Sequence, residues 1–224
     1  MTARDASSLP GLIRRTRKWL GFPNARRVVP VPLVLLRIVS RIADLAGHFG
    51  WRSPLRSTAV QVLQDGVRGD PGALVEAGGS SCRDLDEIFA TLPSTVQERW
   101  FARAFLALPI AIVTLSLFWL ASGLIGLIQV ERAMSVLTER GIGSAFAAIA
   151  VVGGGIADVA LGATVLFRAW AMRACHGMIA LSFAYLAAGT LFTPDIWGDP
   201  LGPFVKVIPG MVLAWITLGY LDDR

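Results

Sequence analysis

A lone acid inside an otherwise uncharged stretch is the first residue of chemical interest in this 224-residue chain. Asp158 is the single charged residue of segment 141–167, a run of 27 residues. If that run crosses a membrane, Asp158 falls near mid-bilayer, where an ionised carboxylate costs ~3 kcal/mol or more. Such an acid is expected to keep its proton unless a cation lies close, and it has two possible roles. It either pins neighbouring helices through hydrogen bonds, or it passes a proton or holds a ligand. Ser122, and Ser182 or Tyr185, stand at similar depth in neighbouring apolar runs and are its candidate partners. Other reactive side chains are sparse. The histidines are His48 and His176, and the cysteines are Cys82 and Cys175. Cys175 and His176 are adjacent, so on a helix they point in different directions and make no metal pair. Trp197, Asp199 and Lys206 lie around a short connection between two apolar runs and are candidates for a ligand-binding outer loop. The prolines there, Pro194, Pro200 and Pro203, follow from turn geometry alone. Arg103, with Arg99, heads the first apolar run. These spacings lead us to expect no metal site, and they assign no catalytic residue.

The elements that would position these side chains are apolar. Apolar residues make up 54% of the chain and charged residues 17%, with a mean hydropathy of +0.59, too oily for an ordinary soluble globule. The net charge of +5 is unevenly placed: residues 1–103 hold 15 of the 21 Lys and Arg, and the remainder is almost neutral. That distribution suits a membrane surface and argues against nucleic acid as the partner. Residues 104–130 form a 27-residue run with no charge, about 40 Å of helix against a hydrocarbon core of ~30 Å. Segment 141–167 follows, then 174–194, and then 207–221, which snorkelling by Lys206 extends to 201–221. Four membrane-spanning helices are expected. Small residues recur along them: Ala150, Gly154, Asp158 and Gly162 in the second, Ala180, Ala184 and Ala188 in the third, Ser122 and Gly126 in the first. These are expected to be the packing faces of a four-helix bundle.

Loop charges give an orientation. Arg99, Arg103, Arg168 and Arg173 fall at one end of the runs, while the other end mixes Glu131, Arg132, Glu139, Arg140, Asp195, Asp199 and Lys206. Both termini are therefore expected in the cytoplasm, consistent with a polar start and no visible secretory signal. Trp100, Trp170 and Trp197 sit near the expected interfaces.

The segment before the first run reads as helical and non-spanning. Leu9, Leu12, Ile13, Thr16, Trp19 and Leu20 follow helical spacing opposite Arg14, Arg15, Arg17 and Lys18, and Gly21 and Pro23 stop that helix. Val28-Val29-Pro30-Val31-Pro32 is extended, because each proline restricts its predecessor. Residues 33–47 are amphipathic, with Arg37, Ser40, Arg41 and Asp44 as the polar stripe; shorter helices are expected around 58–64 and 84–91. Ser94 and Gln97, after Pro93, have the spacing of a capping box that launches the first spanning helix. The apolar faces either lie in the membrane interface or belong to a cytoplasmic domain that needs a second half.

Several stretches carry a resemblance. Arg17-Lys18-Trp19-Leu20-Gly21, Val29-Pro30-Val31-Pro32 and Leu63-Gln64-Asp65-Gly66-Val67-Arg68-Gly69-Asp70 resemble the carboxyl-terminal part of an atypical extended short-chain dehydrogenase/reductase. The stretch from Pro93 through Trp100 to Arg103 resembles the junction at which such proteins enter a DoxX-like membrane domain. Phe118-Trp119-Leu120-Ala121-Ser122-Gly123, Ala157-Asp158 through Gly162, Gly189 through Pro194, and Trp197-Gly198-Asp199-Pro200-Leu201-Gly202-Pro203 are similar to that domain's pattern. The resemblance implies an all-α membrane protein, with 1–99 as a cytoplasmic helical segment and 100–224 as the DoxX-like four-helix domain of a multi-pass protein in the bacterial inner membrane. Fused relatives of this type begin with an NAD(P)-binding Rossmann domain. No strand followed by a glycine-rich phosphate turn is visible here, and Gly153-Gly154-Gly155 lies inside an expected span. The Tyr-x-x-x-Lys pair is missing as well: Tyr185 is followed four residues on by Gly189, and Tyr220 by Arg224.

Three functions follow from these readings. The first is an anchoring or accessory module for a Rossmann-type dehydrogenase, not catalytic alone, with NAD(P) or quinone entering only through the partner. The second is a quinone-linked membrane oxidoreductase subunit, since DoxX relatives include a subunit of thiosulfate:quinone oxidoreductase. The third is a small-solute or proton pathway through Asp158. The expected partners are the lipid bilayer, the dehydrogenase and possible further copies of the chain.

Overall fold

The computed structural model describes residues 8–25, 27–66, 71–80, 83–200 and 202–222. Cys82, Val67 to Asp70 of the dehydrogenase-like stretch, Leu201, the polar start 1–5 and Arg224 lie outside the described residues. Among the described residues the chain is helical and has no strand. It divides into two compact units, one of residues Met1–His48 and Arg52–Phe105, the other of Phe49–Trp51 and Leu106–Arg224.

The first unit holds α1 (Leu9–Trp19), α2 (Leu33–His48), α3 (Ser57–Asp65), α4 (Pro71–Glu76), α5 (Leu85–Thr91) and α6 (Val96–Ala104). Local chemistry sets their ends. Ser8 caps α1 by accepting the Gly11 N–H, and Gly21, at φ +72°, lets the chain leave that helix. Asp84 and Glu87 form a capping box at α5. The box at α6 sits one residue later than the Ser94–Gln97 expectation: Thr95 is the cap, and the Glu98 carboxylate returns to the Thr95 N–H. Both frames fit the sequence pattern, and a charged carboxylate is the stronger acceptor than a glutamine amide. Trp19 ties α1 to the α5 region, donating its indole N–H to the Leu92 carbonyl at 2.7 Å and stacking on Phe89 at 5.4 Å. The buried interior of this unit is thin, with Ser40, Ala43 and Val60 its buried helical residues.

The second unit holds α7 (Ala107–Ile128), α8 (Val130–Thr138), α9 (Ser144–Thr164), α10 (Arg168–Phe192), a 3₁₀ turn (Pro194–Gly198) and α11 (Pro203–Asp222). Four helical stretches are long and apolar enough to cross a membrane: Val96–Ile128, Ser144–Thr164, Arg168–Phe192 and Pro203–Leu221. A turn at Phe105 and Leu106 separates α6 from α7 within the first. The third begins at Arg168, not at residue 174, because Arg173 is exposed and lies over the Trp170 ring at 4.9 Å, so its charge does not end the helix. α8 was not expected from the apolar runs. Each spanning helix packs on its neighbours in chain order, and α11 closes the ring against α7. The core is made by Leu108, Ile112, Leu115, Trp119, Val165, Ala171, Ala174, Cys175, Met178, Ala214 and Leu221.

The packing faces coincide with the small-residue stripes only in part, Gly154, Asp158 and Gly162 of α9 being at helix contacts. On α9 the buried face carries Ala147, Gly155, Asp158 and Gly162, while Ala150 is exposed. On α10 it carries Ala171, Ala174, Cys175, Met178, Ser182 and Gly189, and Ala180, Ala184 and Ala188 face outward. On α7 the close approach is made by Gly123, and Gly126 has open space beside it. Small size lets a residue sit at a helix contact but does not send it there, since alanine is equally at home against lipid tails.

Candidate functional site: a carboxylate shared by three helices

Asp158 is 5% exposed and lies on the buried face of α9. The Tyr185 hydroxyl, from α10, donates to its Oδ1 at 2.7 Å. The Ser122 hydroxyl, from α7, donates to Oδ2 at 2.9 Å. One side chain thus joins three of the four spanning helices, with both carboxylate oxygens engaged. Ser182, the other candidate partner, is buried on α10, and the hydrogen bonds to the carboxylate come from Ser122 and Tyr185.

Glycines make this geometry possible. A Cβ on Gly123 would lie 2.6 Å from the Gly155 carbonyl oxygen and 2.9 Å from the Asp158 Cβ, so α7 and α9 touch backbone to backbone beside the acid. A Cβ on Gly154, one turn before Asp158, would lie 2.8 Å from the Tyr185 hydroxyl. One turn after it, the Ser116 hydroxyl donates to the Gly162 carbonyl at 2.8 Å. This bond takes up a backbone acceptor at a second close approach of α7 and α9, where a Cβ on Gly162 would meet the Leu120 nitrogen at 2.8 Å. Asp158 itself is buried, yet Ser122 is exposed. The cluster can therefore fix helix register, and a single hydroxyl links the acid to the outer surface of the unit.

The remaining candidates do not join this cluster. Trp197 donates its indole N–H to the Thr190 hydroxyl at 3.0 Å and packs edge-on against Phe204 at 5.3 Å, which holds the 3₁₀ turn against α11. The Asp199 carbonyl accepts the Gly202 N–H at 2.9 Å. Lys206 is exposed and borders a cavity of about 220 Å³ with Thr114, Leu115, Phe118, Pro209, Gly210 and Leu213. Arg103 belongs to the first unit, where its guanidinium lies 5.5 Å from the Phe22 ring centre. The Nδ1–H of His176 donates to the Met172 carbonyl at 2.9 Å. Cys175 is buried and free. No group of three or more His, Cys, Asp or Glu is placed to hold a metal ion among the described residues.

Two ties were not foreseen. Arg140 grips Asp195 through two nitrogens, at 3.1 Å and 2.6 Å, joining the turn before α9 to the 3₁₀ turn after α10. The guanidinium holds the Asp195 carboxyl below its usual range. The available signal was a set of bases and acids, Arg140 and Asp195 among them, in two connections that antiparallel helices bring to the same end. At the other end, Trp51 donates its indole N–H to the Leu166 carbonyl at 2.5 Å and the Phe49 carbonyl accepts the Arg168 N–H at 2.9 Å. The Arg168 guanidinium donates to the Leu221 carbonyl at 2.9 Å, supplying a donor and a positive charge to the C-terminal end of α11.

The fold and the buried acid define an all-α membrane protein of four spanning helices. Residues 116–215 match the DoxX-like family, a stretch reaching from the middle of α7 into α11. That stretch contains Ser122, Asp158, Tyr185, Trp197, Asp199 and Lys206, and Arg103 falls outside it. Comparison with curated proteins gave no match, and neither did comparison with solved structures.

Proposed function

We propose that this chain is a membrane anchor for a soluble dehydrogenase-type partner: the DoxX-like domain holds it in the bilayer, and the preceding helical unit receives the partner. Catalysis, and any NAD(P) or quinone, belongs to the partner in this reading. The observation that carries it is the segment 28–32, which has neither helix nor strand and leaves Val28 81%, Val29 75% and Val31 59% exposed. Val29 and Val31 each precede a proline and are biased to extended backbone. In an extended chain, alternate residues face opposite edges, so Pro30 and Pro32 deny hydrogen-bond donors to one edge while Val29 and Val31 offer theirs to the other. A segment with one pairing edge suits addition to the sheet of another protein, and a dinucleotide-binding partner has such a sheet. The same reading places both termini on the cytoplasmic side of the inner membrane, supported by Arg99, Arg103, Arg168 and Arg173.

The test is affinity purification from native membranes in mild detergent, with the retained proteins identified by mass spectrometry. Retention of an NAD(P)-binding dehydrogenase by the wild type, and its loss in Val29→Asp with the four-helix unit still folded, is the expected result. Equal retention by both proteins, or no dehydrogenase with either, overturns the proposal.

A second reading rests on the exposed Ser122 beside the buried Asp158: the acid exchanges a proton through that hydroxyl and serves a proton or small-solute pathway. Vesicles loaded with a pH-sensitive dye decide it. The pathway requires proton movement in the wild type and none in Asp158→Asn. Equal traces eliminate it.

A further inference from the structure

α2 turns an apolar stripe outward. Ser40 and Ala43 are its buried residues, whereas Val34 (66%), Ile38 (50%), Ile42 (61%) and Leu45 (59%) are exposed. At 3.6 residues per turn these four form one continuous stripe down the 16-residue helix. Arg37 and Arg41 are exposed along the edge of the stripe. Asp44, the acid of this helix, is already engaged: its Oδ1 accepts the Ser57 N–H at 3.2 Å and faces the Arg56 Nε at 3.5 Å. The outward face thus combines an apolar stripe with two positive charges that form no ion pair among the described residues.

We infer that α2 is an interfacial helix that beds Val34, Ile38, Ile42 and Leu45 into the bilayer surface, with Arg37 and Arg41 at the phosphate level of anionic lipids. Apolar residues flanked by arginines are the composition of a helix lying in the headgroup boundary. Covalent continuity supplies the second argument. His48 ends α2, and the next residues, Phe49–Trp51, are fixed to the connection between two spanning helices by the Arg168–Phe49 and Trp51–Leu166 hydrogen bonds. The end of α2 is therefore joined by one peptide bond to a segment of the membrane-spanning unit. This inference does not depend on the dehydrogenase partner.

The experiment uses the full chain in nanodiscs, purified without any partner, with Cys82 replaced by serine and the buried Cys175 retained. Single cysteines at positions 34, 38, 42 and 45 carry an environment-sensitive fluorophore, and Gln61, exposed on α3, serves as the water-facing reference. All four sites are already exposed, so the substitutions leave the interior untouched. The inference requires quenching by lipids brominated in the acyl chain and about threefold less quenching by iodide than at position 61, as for a side chain below the headgroups. Adding phosphatidylglycerol to a zwitterionic disc should deepen the protection, and Arg37→Gln with Arg41→Gln should cancel that gain. Iodide quenching equal to position 61 overturns the inference in favour of a face open to water. Protection from both quenchers overturns it in favour of a face covered by protein.

Discussion

Replacing Gly123 with alanine tests the backbone contact between α7 and α9. The added methyl would sit 2.6 Å from the Gly155 carbonyl oxygen, 2.8 Å from Val159 Cγ2 and 2.9 Å from Asp158 Cβ. Two of these three atoms lie on or next to the α9 backbone, so no rotamer change can relieve the contact. Carbon–oxygen contacts between helices settle at about 3.3 Å or more, so α7 and α9 must part by roughly 0.7 Å. In a bilayer no hydrophobic force closes such a gap, because lipid tails are as apolar as the helices. Overpacking of this kind costs about 1–3 kcal/mol. The same displacement lengthens the Ser122–Asp158 hydrogen bond, since Ser122 adjoins the substituted residue. Gly126→Ala is the control: its Cβ would meet nothing within 4 Å, and alanine gains up to ~1 kcal/mol of helix propensity over glycine. Unfolding in mixed micelles of increasing sodium dodecyl sulfate fraction measures both variants against the wild type. Gly123→Ala should lose stability while Gly126→Ala matches or exceeds the wild type. A Gly123→Ala protein within ~0.5 kcal/mol of the wild type, a difference typical of neutral surface changes, would refute the backbone-contact reasoning, as would Gly126→Ala proving the more damaging change.

Three further outcomes are expected. Asp158→Asn keeps an acceptor for Tyr185 and a donor for Ser122, so it should unfold within ~1 kcal/mol of the wild type, whereas Asp158→Leu breaks both interhelical bonds and should lose about 1–3 kcal/mol in the same assay; equal stability of the two would contradict a shared carboxylate. The Arg140–Asp195 pair should stabilise the protein at neutral pH, because the Asp195 carboxyl is held below its ordinary value of 3.8. A carboxyl whose folded value is depressed contributes fully above the unfolded value and loses that contribution as pH falls through the lower folded value. The melting-temperature gap between wild type and Asp195→Asn should therefore be constant near neutrality and close in acid, and a gap that persists in acid would contradict the pairing. Trp51→Phe retains an aromatic ring but removes the donor to Leu166, and should lower stability by about 1 kcal/mol, detectable by hydrogen exchange at the α9–α10 connection; unchanged exchange there would contradict the tie.

The spanning helices were legible in the sequence because a membrane imposes a length: long uncharged runs admit few alternatives. Asp158 and its partners Ser122 and Tyr185 were legible for a related reason, since polar groups are scarce at that depth and must find one another. Which face of α10 is buried was not legible. When lipid and protein interior are equally apolar, Ala180, Ala184 and Ala188 satisfy the small-residue pattern as well as the buried Ala171, Ala174 and Cys175 do, and the outcome is set by partners such as Phe204, whose ring fills the space a Cβ on Gly189 would need. The α6 cap shifted by one residue because two overlapping frames both matched, and the stronger acceptor, Glu98, decided. The Arg140–Asp195 grip joins residues 55 apart in sequence, and only the antiparallel arrangement of α9 and α10 brings their ends together.

The central claim, that segment 28–32 receives a dehydrogenase-type partner at the membrane, is tested most directly by cross-linking from that segment in cells. A photo-reactive amino acid at position 29, with position 61 as a second exposed site, is activated in intact membranes and its adducts are sequenced by mass spectrometry. The account predicts that position 29 captures an NAD(P)-binding dehydrogenase through peptides at the edge of its sheet, and that position 61 does not. Adducts at position 29 confined to lipid, to this chain itself or to proteins without a dinucleotide-binding fold would contradict it.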